Sequence, residues 1–138
     1  MAAQSSHWIS RIGRLQAARA YIENNLEWGD LSPAKTASAI GVSLRQLHLL
    51  FEPTGTSFSR YVLARRLERA RAELADPDRN VLQVAMSCGI ESSTVFYRAF
   101  RRAYGASPTE YRRALREGGS RVGSRPAAAE TNDRLALS

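Results

Sequence analysis

The chain has 138 residues, with 20 Lys+Arg against 13 Asp+Glu, a formal net charge of +7 and a sequence pI near 10.5. That length allows one real core, or two small subdomains that share an element. Cys88 is the only cysteine, which excludes an intrachain disulfide framework and a cysteine zinc cluster. No apolar run approaches the roughly 20 residues of a membrane span, and MAAQSSHWIS lacks the basic start and long apolar run of a secretory signal. A cytoplasmic protein without membrane contact is expected, and the basic balance points to a polyanionic partner, usually nucleic acid.

Helical spacing recurs along the chain, while alternating β-branched runs are absent. In SHWISRIGRLQAARAYIENNLEWGD, the residues Ile12, Leu15, Ala18, Ile22 and Leu26 fall at three- and four-residue steps and predict an amphipathic helix that stops at Gly29-Asp30. Ser32 is a natural N-cap and Pro33 suits the first helical position, so a short helix is expected up to Gly41. SLRQLHLLF restarts at once, with Ser43 and Gln46 spaced as a capping box. Pro53 to Ser57 reads as a turn. A long helix follows to about Ala75, its inner stripe Phe58, Val62, Leu67, Ala70 and Leu74. After the loop Asp76 to Asn80, VLQVAMSC turns Val81, Val84, Ala85 and Cys88 inward and closes at Gly89. The next helix carries Phe96, Phe100, Ala103 and Tyr104 inward and ends at Gly105. Ser107-Pro108-Thr109-Glu110 is a second capping box and starts a last helix to about Arg116. From Glu117 the pattern becomes small, polar and aperiodic, and a disordered tail over 117–138 is expected.

The chain also repeats itself. Ala37 and Gly41 recur 48 residues on as Ala85 and Gly89, and Leu47 and Phe51 recur 49 residues on as Phe96 and Phe100. This is the pattern of a helix-turn-helix. The alanine lets two helices cross closely, the glycine takes the left-handed conformation that ends the first, and Val42 or Ile90 plugs the gap. A plain helical bundle with two tight corners gives the same pattern, so the repeat alone leaves that alternative open.

The segment from Leu31 to Arg113 resembles the DNA-binding domain of the AraC/XylS family of bacterial transcription regulators. The resemblance is carried by LSPAKTASAIGVSLRQLHLLFEPTGTSFSRYVLARRLERARAEL and by VAMSCGIESSTVFYRAFRRAYGASPTEYRR. The family's pattern near its C-terminus is matched at Gly89, Phe96, Arg98, Phe100, Arg101, Tyr104, Gly105, Ser107, Pro108, Tyr111 and Arg112. The chain departs from it at Ile90, where Phe is usual, at Thr94, where Ser is common, and at Thr36, where an aliphatic residue is usual. The resemblance implies an all-α fold of about seven helices. Two helix-turn-helix subdomains, over 7–56 and 76–116, would be joined by a linker helix over 57–75. It further implies insertion of two helices into major grooves about one DNA turn apart, activation of transcription, and recruitment of RNA polymerase. Most members carry an effector-binding domain ahead of this one; none is expected in this chain, which reads either as a stand-alone regulator or as the end of a longer one.

Helical geometry indicates which side chains would meet DNA. In SLRQLHLLF the face opposite Leu47, Leu50 and Phe51 holds Arg45, Leu49 and Glu52, with Gln46 and His48 on the flanks. Arg45 suits a guanine edge, Gln46 and His48 suit base-edge hydrogen bonds, and Leu49 suits a thymine methyl. In the second unit Ser93, Thr94, Tyr97 and Arg98 are expected near base edges. Ser43, Ser92, Arg101 and Ser107 are expected at phosphates, the last through the amides of a helix N-terminus. Colder readings stand beside these: His48 as a surface histidine, Arg98 as one half of an internal ion pair, Arg69 paired with Glu73 at four-residue spacing, Arg66 in a structural ion pair, and Cys88 as a core residue. His7 and His48 fall in different segments, and no phosphate loop or H-E-x-x-H is present. No catalytic or metal-ligating residue and no cofactor is therefore assigned. A helical protein-interaction adaptor that keeps the fold without reading DNA is the alternative function.

Overall fold

The computed structural model describes residues 2–118, with side chains from Ser10 onward. Seven α-helices follow in order: α1 (Ala2–Asn24), α2 (Pro33–Ile40), α3 (Leu44–Phe51), α4 (Phe58–Glu73), α5 (Val81–Ser87), α6 (Ser93–Tyr104) and α7 (Pro108–Arg116). A short 3-10 turn, Glu52–Thr54, extends α3. No strand occurs among the described residues.

The helix starts follow from local chemistry. Ser32, Ser57 and Ser92 each accept a hydrogen bond from the backbone N–H three residues on. Ser43 with Gln46, and Ser107 with Glu110, form the two expected capping boxes. Asn80 with Gln83 forms a third, inside what reads in the sequence as an unremarkable loop. Each reciprocal cap satisfies donors that a helix start leaves without partners. Gly41 (φ 75°) and Gly105 (φ 77°) end their helices in the left-handed region, which costs a glycine no Cβ clash.

Two apolar clusters form the interior. One joins Ala18 and Ile22 of α1, and Leu26 in the turn after it, to Ala37, Leu47, Phe51, Phe58 and Val62. The other joins Leu67 and Ala70 of α4, and its C-cap Leu74, to Val84, Ala85, Cys88, Phe96, Phe100, Ala103 and Tyr111. α4 therefore lends its first turns to one core and its remainder to the other. Phe51 packs edge-on against Phe58, with ring centroids 5.9 Å apart. Phe100 holds the corresponding place in the second unit, with Tyr104 at 4.8 Å, Phe96 at 5.6 Å and Tyr111 at 5.7 Å. Burial of each such ring contributes roughly 1.5–3 kcal/mol.

Thr36 is fully buried, yet it stands where an aliphatic residue is usual in the family it resembles. Its hydroxyl donates to the Ser32 carbonyl at 2.9 Å, so the polar atom enters the core already satisfied.

Several expectations need correction. Ile12 is 48% exposed, because the buried stripe of α1 begins only at Leu15 and Ala18; the helix outruns the core it packs on. α1 also begins at Ala2, ahead of residue 7. Arg69 does not pair with Glu73. Arg69 reaches Glu27 at 3.5 Å, while Glu73 is taken by Arg79 and by the Ser87 hydroxyl. Arg66 makes no ion pair among the described residues. It donates from Nε to the Leu26 carbonyl at 3.0 Å and from Nη2 to the Trp28 carbonyl at 2.7 Å. The tail expected over 117–138 opens with a turn at Glu117 and Gly118, and from 119 on it lies outside the described residues.

The repeat runs deeper than the sequence pattern indicates. Arg112 of α7 donates from Nε to the Leu74 carbonyl and from Nη2 to the Asp76 carbonyl, both at 3.1 Å. Leu74 and Asp76 lie 48 residues after Leu26 and Trp28, the same offset that relates Ala85 to Ala37. Each unit is thus a helix, a helix-turn-helix, and a following helix whose arginine reaches back to close the end of the first. α4 serves as last helix of one unit and first helix of the next.

Candidate nucleic-acid interface

Burial and pairing sort the arginines into two groups. Arg65, Arg66, Arg69 and Arg71 of α4 turn inward to the protein's own structure. Arg65 grips Glu23 with two hydrogen bonds, at 2.7 and 3.0 Å, and lies 3.1 Å from Glu68. Arg71 stacks over the Tyr104 ring at 4.7 Å. Together with Arg66 and Arg69, Arg65 brings positive charge to the C-terminal end of α1, where the helix dipole is negative. Arg65, Arg66 and Arg69 are therefore a clamp on the end of α1 and the turn after it.

The second group points to solvent. Arg45 on α3 and Arg98 on α6 are exposed and have no hydrogen-bond or ion-pair partner among the described residues. The internal ion pair weighed for Arg98 is absent there. On α3, Leu44, Arg45, His48 and Leu49 line one shallow open face with Glu52 of the 3-10 turn. Leu47, Leu50 and Phe51 are buried on the other side and fix which way that face looks. Leu49 is 41% exposed and Leu44 47%, large apolar side chains left in water beside Arg45 and His48. Gln46 is exposed; its Oε1 accepts from the Ser43 N–H at 2.9 Å, and its amide N–H₂ is left to donate outward. Ser43 accepts at Oγ from the Gln46 N–H, and its hydroxyl proton remains available.

On α6, Phe96, Phe100 and Ala103 are fully buried, and Ser93, Thr94, Arg98 and Arg101 face outward. Ser92 caps the helix by accepting from the Val95 N–H at 3.2 Å. Tyr97 leans toward α7, its hydroxyl 3.0 Å from Thr109 Oγ1, and is 40% exposed. Arg101 lies 3.4 Å from Glu110 in an exposed contact, the kind of surface pair worth little and readily exchanged.

Ser107 stands apart from the others. It is buried, its Oγ accepts from the Glu110 N–H, and its own N–H donates to Glu110 Oε1 at 2.8 Å. Those Ser107 hydrogen bonds, with Arg101 adding, hold the Glu110 carboxyl below the usual carboxylate value. A carboxylate already occupies that helix N-terminus, so a phosphate there would meet like charge. The geometry argues against Ser107 as a phosphate position.

Two residues on this side escape the sequence pattern. Arg11 and Arg14 of α1 line a groove with Gln46, Leu49 and Leu50 of α3. Both are exposed and without a partner among the described residues. Their three-residue spacing places them on one face of α1, but only the docking of α1 beside α3 brings that face to the reading helix.

Among the described residues no group of His, Cys, Asp or Glu is arranged to hold a metal ion. No described helix is long and apolar enough to cross a membrane.

Two helix-turn-helix units that share a long helix, each presenting the outer face of its second helix, define a double helix-turn-helix DNA-binding domain. The profile of a family described as "Helix-turn-helix domain" matches residues 36–114. The chain belongs to the AraC/XylS family of bacterial transcription regulators. It is 33% identical to a Chromobacterium violaceum transcriptional regulator with an AraC-type DNA-binding domain. Their structures agree with a TM-score of 0.71 over 80% of this chain and 99% of that one. A DNA-binding transcriptional dual regulator from Escherichia coli K-12 gives 28% identity and a TM-score of 0.70, over 75% of this chain and 93% of that one. Among curated relatives, "Transcriptional activator NphR" of a Rhodococcus species is 35% identical over 80% of this chain and 33% of its own length. "Transcriptional activator RhrA" of Rhizobium meliloti is 35% identical over 72% and 32%. The chain spans about a third of the length of these curated relatives.

Proposed function

We propose that this domain binds a promoter element sequence-specifically, with α3 and α6 in successive major grooves about 34 Å apart, and acts as a transcriptional activator that recruits RNA polymerase. The observation that carries the DNA reading is the pair of exposed arginines, Arg45 and Arg98, without partners among the described residues, each at the outer face of the second helix of a helix-turn-helix. Each can present its planar fork to the O6 and N7 of a guanine. Gln46, His48 and Leu49 read beside Arg45; Ser93, Thr94 and Tyr97 read beside Arg98. Ser43, Ser92, Arg101, Arg11 and Arg14 contact the flanking phosphates and set the register. Activation is supported by the names of two relatives, the transcriptional activators NphR and RhrA; polymerase contact is what the family resemblance implies.

The test is selection of bound sites from a random duplex library, followed by mobility shifts at two salt concentrations. A bipartite consensus is expected. Log affinity should fall against log salt with a slope of about −0.9 per neutralised phosphate. No preference over random duplex at moderate salt would remove the sequence-specific reading. Salt-insensitive binding to a protein partner, unmoved by Arg45→Ala or Arg98→Ala, would favour the adaptor alternative.

A further inference from the structure

A bipartite reader needs its two reading helices held at one angle and one spacing. α4 is shared by both units, but a helix of 16 residues, about 24 Å long, hinges easily at its ends unless something braces it. The brace lies off the helix. Gly89, which ends the α5 segment, is buried, and the chain turn after α1 is pressed directly onto it. A Cβ on Gly89 would sit 2.2 Å from the Leu26 carbonyl oxygen and 2.8 Å from Arg66 Nε. Gly89 also has a φ of +86°, so a side chain is opposed there twice. Arg66 leaves α4 at this junction and holds the same turn by its bonds to the Leu26 and Trp28 carbonyls. Glu91, two residues past Gly89, lies over Gly29 on the other side; a Cβ there would be 2.7 Å from its carboxylate.

The second unit provides a comparison within the same molecule. Arg112 closes the end of α4 with the same pair of bonds. What distinguishes Arg66 is that the turn it closes belongs to one unit and rests on a glycine of the other.

We infer that Arg66 and Gly89 latch the α1 turn of the first unit onto the α5–α6 turn of the second, and so fix the relative placement of α3 and α6. The spacing part of this inference rests on the reading that both helices engage DNA. Arg66 and Gly89 are positioning residues and touch no base.

The primary experiment needs no DNA. Spin labels on the exposed positions Ser38 (α2) and Met86 (α5), introduced as Ser38→Cys and Met86→Cys, report the distance between units. Cys88 does not compete, being fully buried. The wild-type chain is expected to give one narrow distance distribution. Arg66→Met, checked for native helix content, is expected to widen it about twofold, and Arg66→Lys, which keeps one donor to a carbonyl, to restore part of the narrowing. Glu91→Ala, at an exposed position, is the second variant and should widen it less.

The paired experiment uses the selected DNA site with one base pair inserted between half-sites, which displaces one half by about 3.4 Å and about 35°. Wild type should lose about tenfold in affinity and Arg66→Met no more than about threefold. An unchanged, narrow distribution in folded Arg66→Met overturns the latch and leaves the DNA reading standing. Widening in a protein whose wild type prefers no sequence upholds the latch and removes the DNA reading.

Discussion

Arg112→Met is the perturbation whose cost the structure defines best. The Arg112 side chain is 8% exposed and makes two hydrogen bonds, to the Leu74 and Asp76 carbonyls, each 3.1 Å long. Methionine keeps most of the apolar stem, so the loss is chiefly polar. The two carbonyls are not equivalent. Asp76 is an exposed residue whose carbonyl also receives the Arg79 N–H at 3.5 Å, so water and that donor replace the guanidinium there at little cost. Leu74 is 1% exposed and ends α4. Without Arg112 its carbonyl has no protein donor among the described residues, and an unsatisfied buried carbonyl costs about 1–3 kcal/mol. Relief from burying a guanidinium offsets part of this, so about 2 kcal/mol is expected. At about 4 °C per kcal/mol for a domain of this size, the melting temperature should fall by roughly 8 °C. Urea unfolding monitored by helical circular dichroism measures it, with Arg113→Met, at an exposed neighbouring position, as the control near zero. A loss below about 0.5 kcal/mol in Arg112→Met would mean that the Leu74 carbonyl finds another donor, and that closure by arginine is not what secures the end of each unit.

Arg98→Ala should weaken binding to the selected site by about 1–3 kcal/mol and relax preference at one or two base pairs, whereas the double substitution Arg11→Ala and Arg14→Ala should weaken all sequences alike and shrink the salt slope by about two; quantitative mobility shifts across salt separate the two patterns. Phe100→Ala, at a fully buried ring among Phe96, Tyr104 and Tyr111, should cost about 3–5 kcal/mol, read as lost near-ultraviolet dichroism and a lower urea midpoint. Glu23→Gln tests the clamp on α1. The Arg65 hydrogen bond, opposed by burial and aided by the charges of Arg65 and Arg69, holds the Glu23 carboxyl below its ordinary value of 4.5. A lowered folded-state value means the stabilisation is present above the ordinary value and is lost as pH falls through the folded one. The variant should therefore be less stable at neutral pH, by about 0.5–1 kcal/mol. It should also melt less steeply with acid below about pH 4.5. An unchanged acid dependence would show the pair to be energetically silent.

Much of this protein was determined locally, and for that reason it is legible in the sequence. A serine cap, a proline at the first helical turn, a glycine stop and an apolar stripe each act within four or five residues. Ser32-Pro33, Ser43 with Gln46, and Ser107 with Glu110 therefore announce their helices without any tertiary information. The inward Phe51 and Phe100 likewise dictate that Arg45 and Arg98 look outward, because a helix has only one opposite face. The fate of the remaining arginines was decided by packing alone. Spacing suggests that Arg69 meets Glu73; instead α1, docked on α4, offers Arg69 the carboxylate of Glu27, and the α4–α5 corner brings Arg79 and Ser87 to Glu73. Arg66 and Arg112 find carbonyls 40 and 38 residues away. No helical periodicity encodes such a partner, because it exists only once separate helices have come together. The same is true of Arg11 and Arg14, which are ordinary surface charges on α1 until its packing sets them beside α3. Short-range hydrogen bonding and amphipathicity thus specify the seven helices and the two outward faces. Which positive charges remain free for a polyanion, and how firmly the two faces are held to each other, follow from long-range contacts that only the folded chain creates.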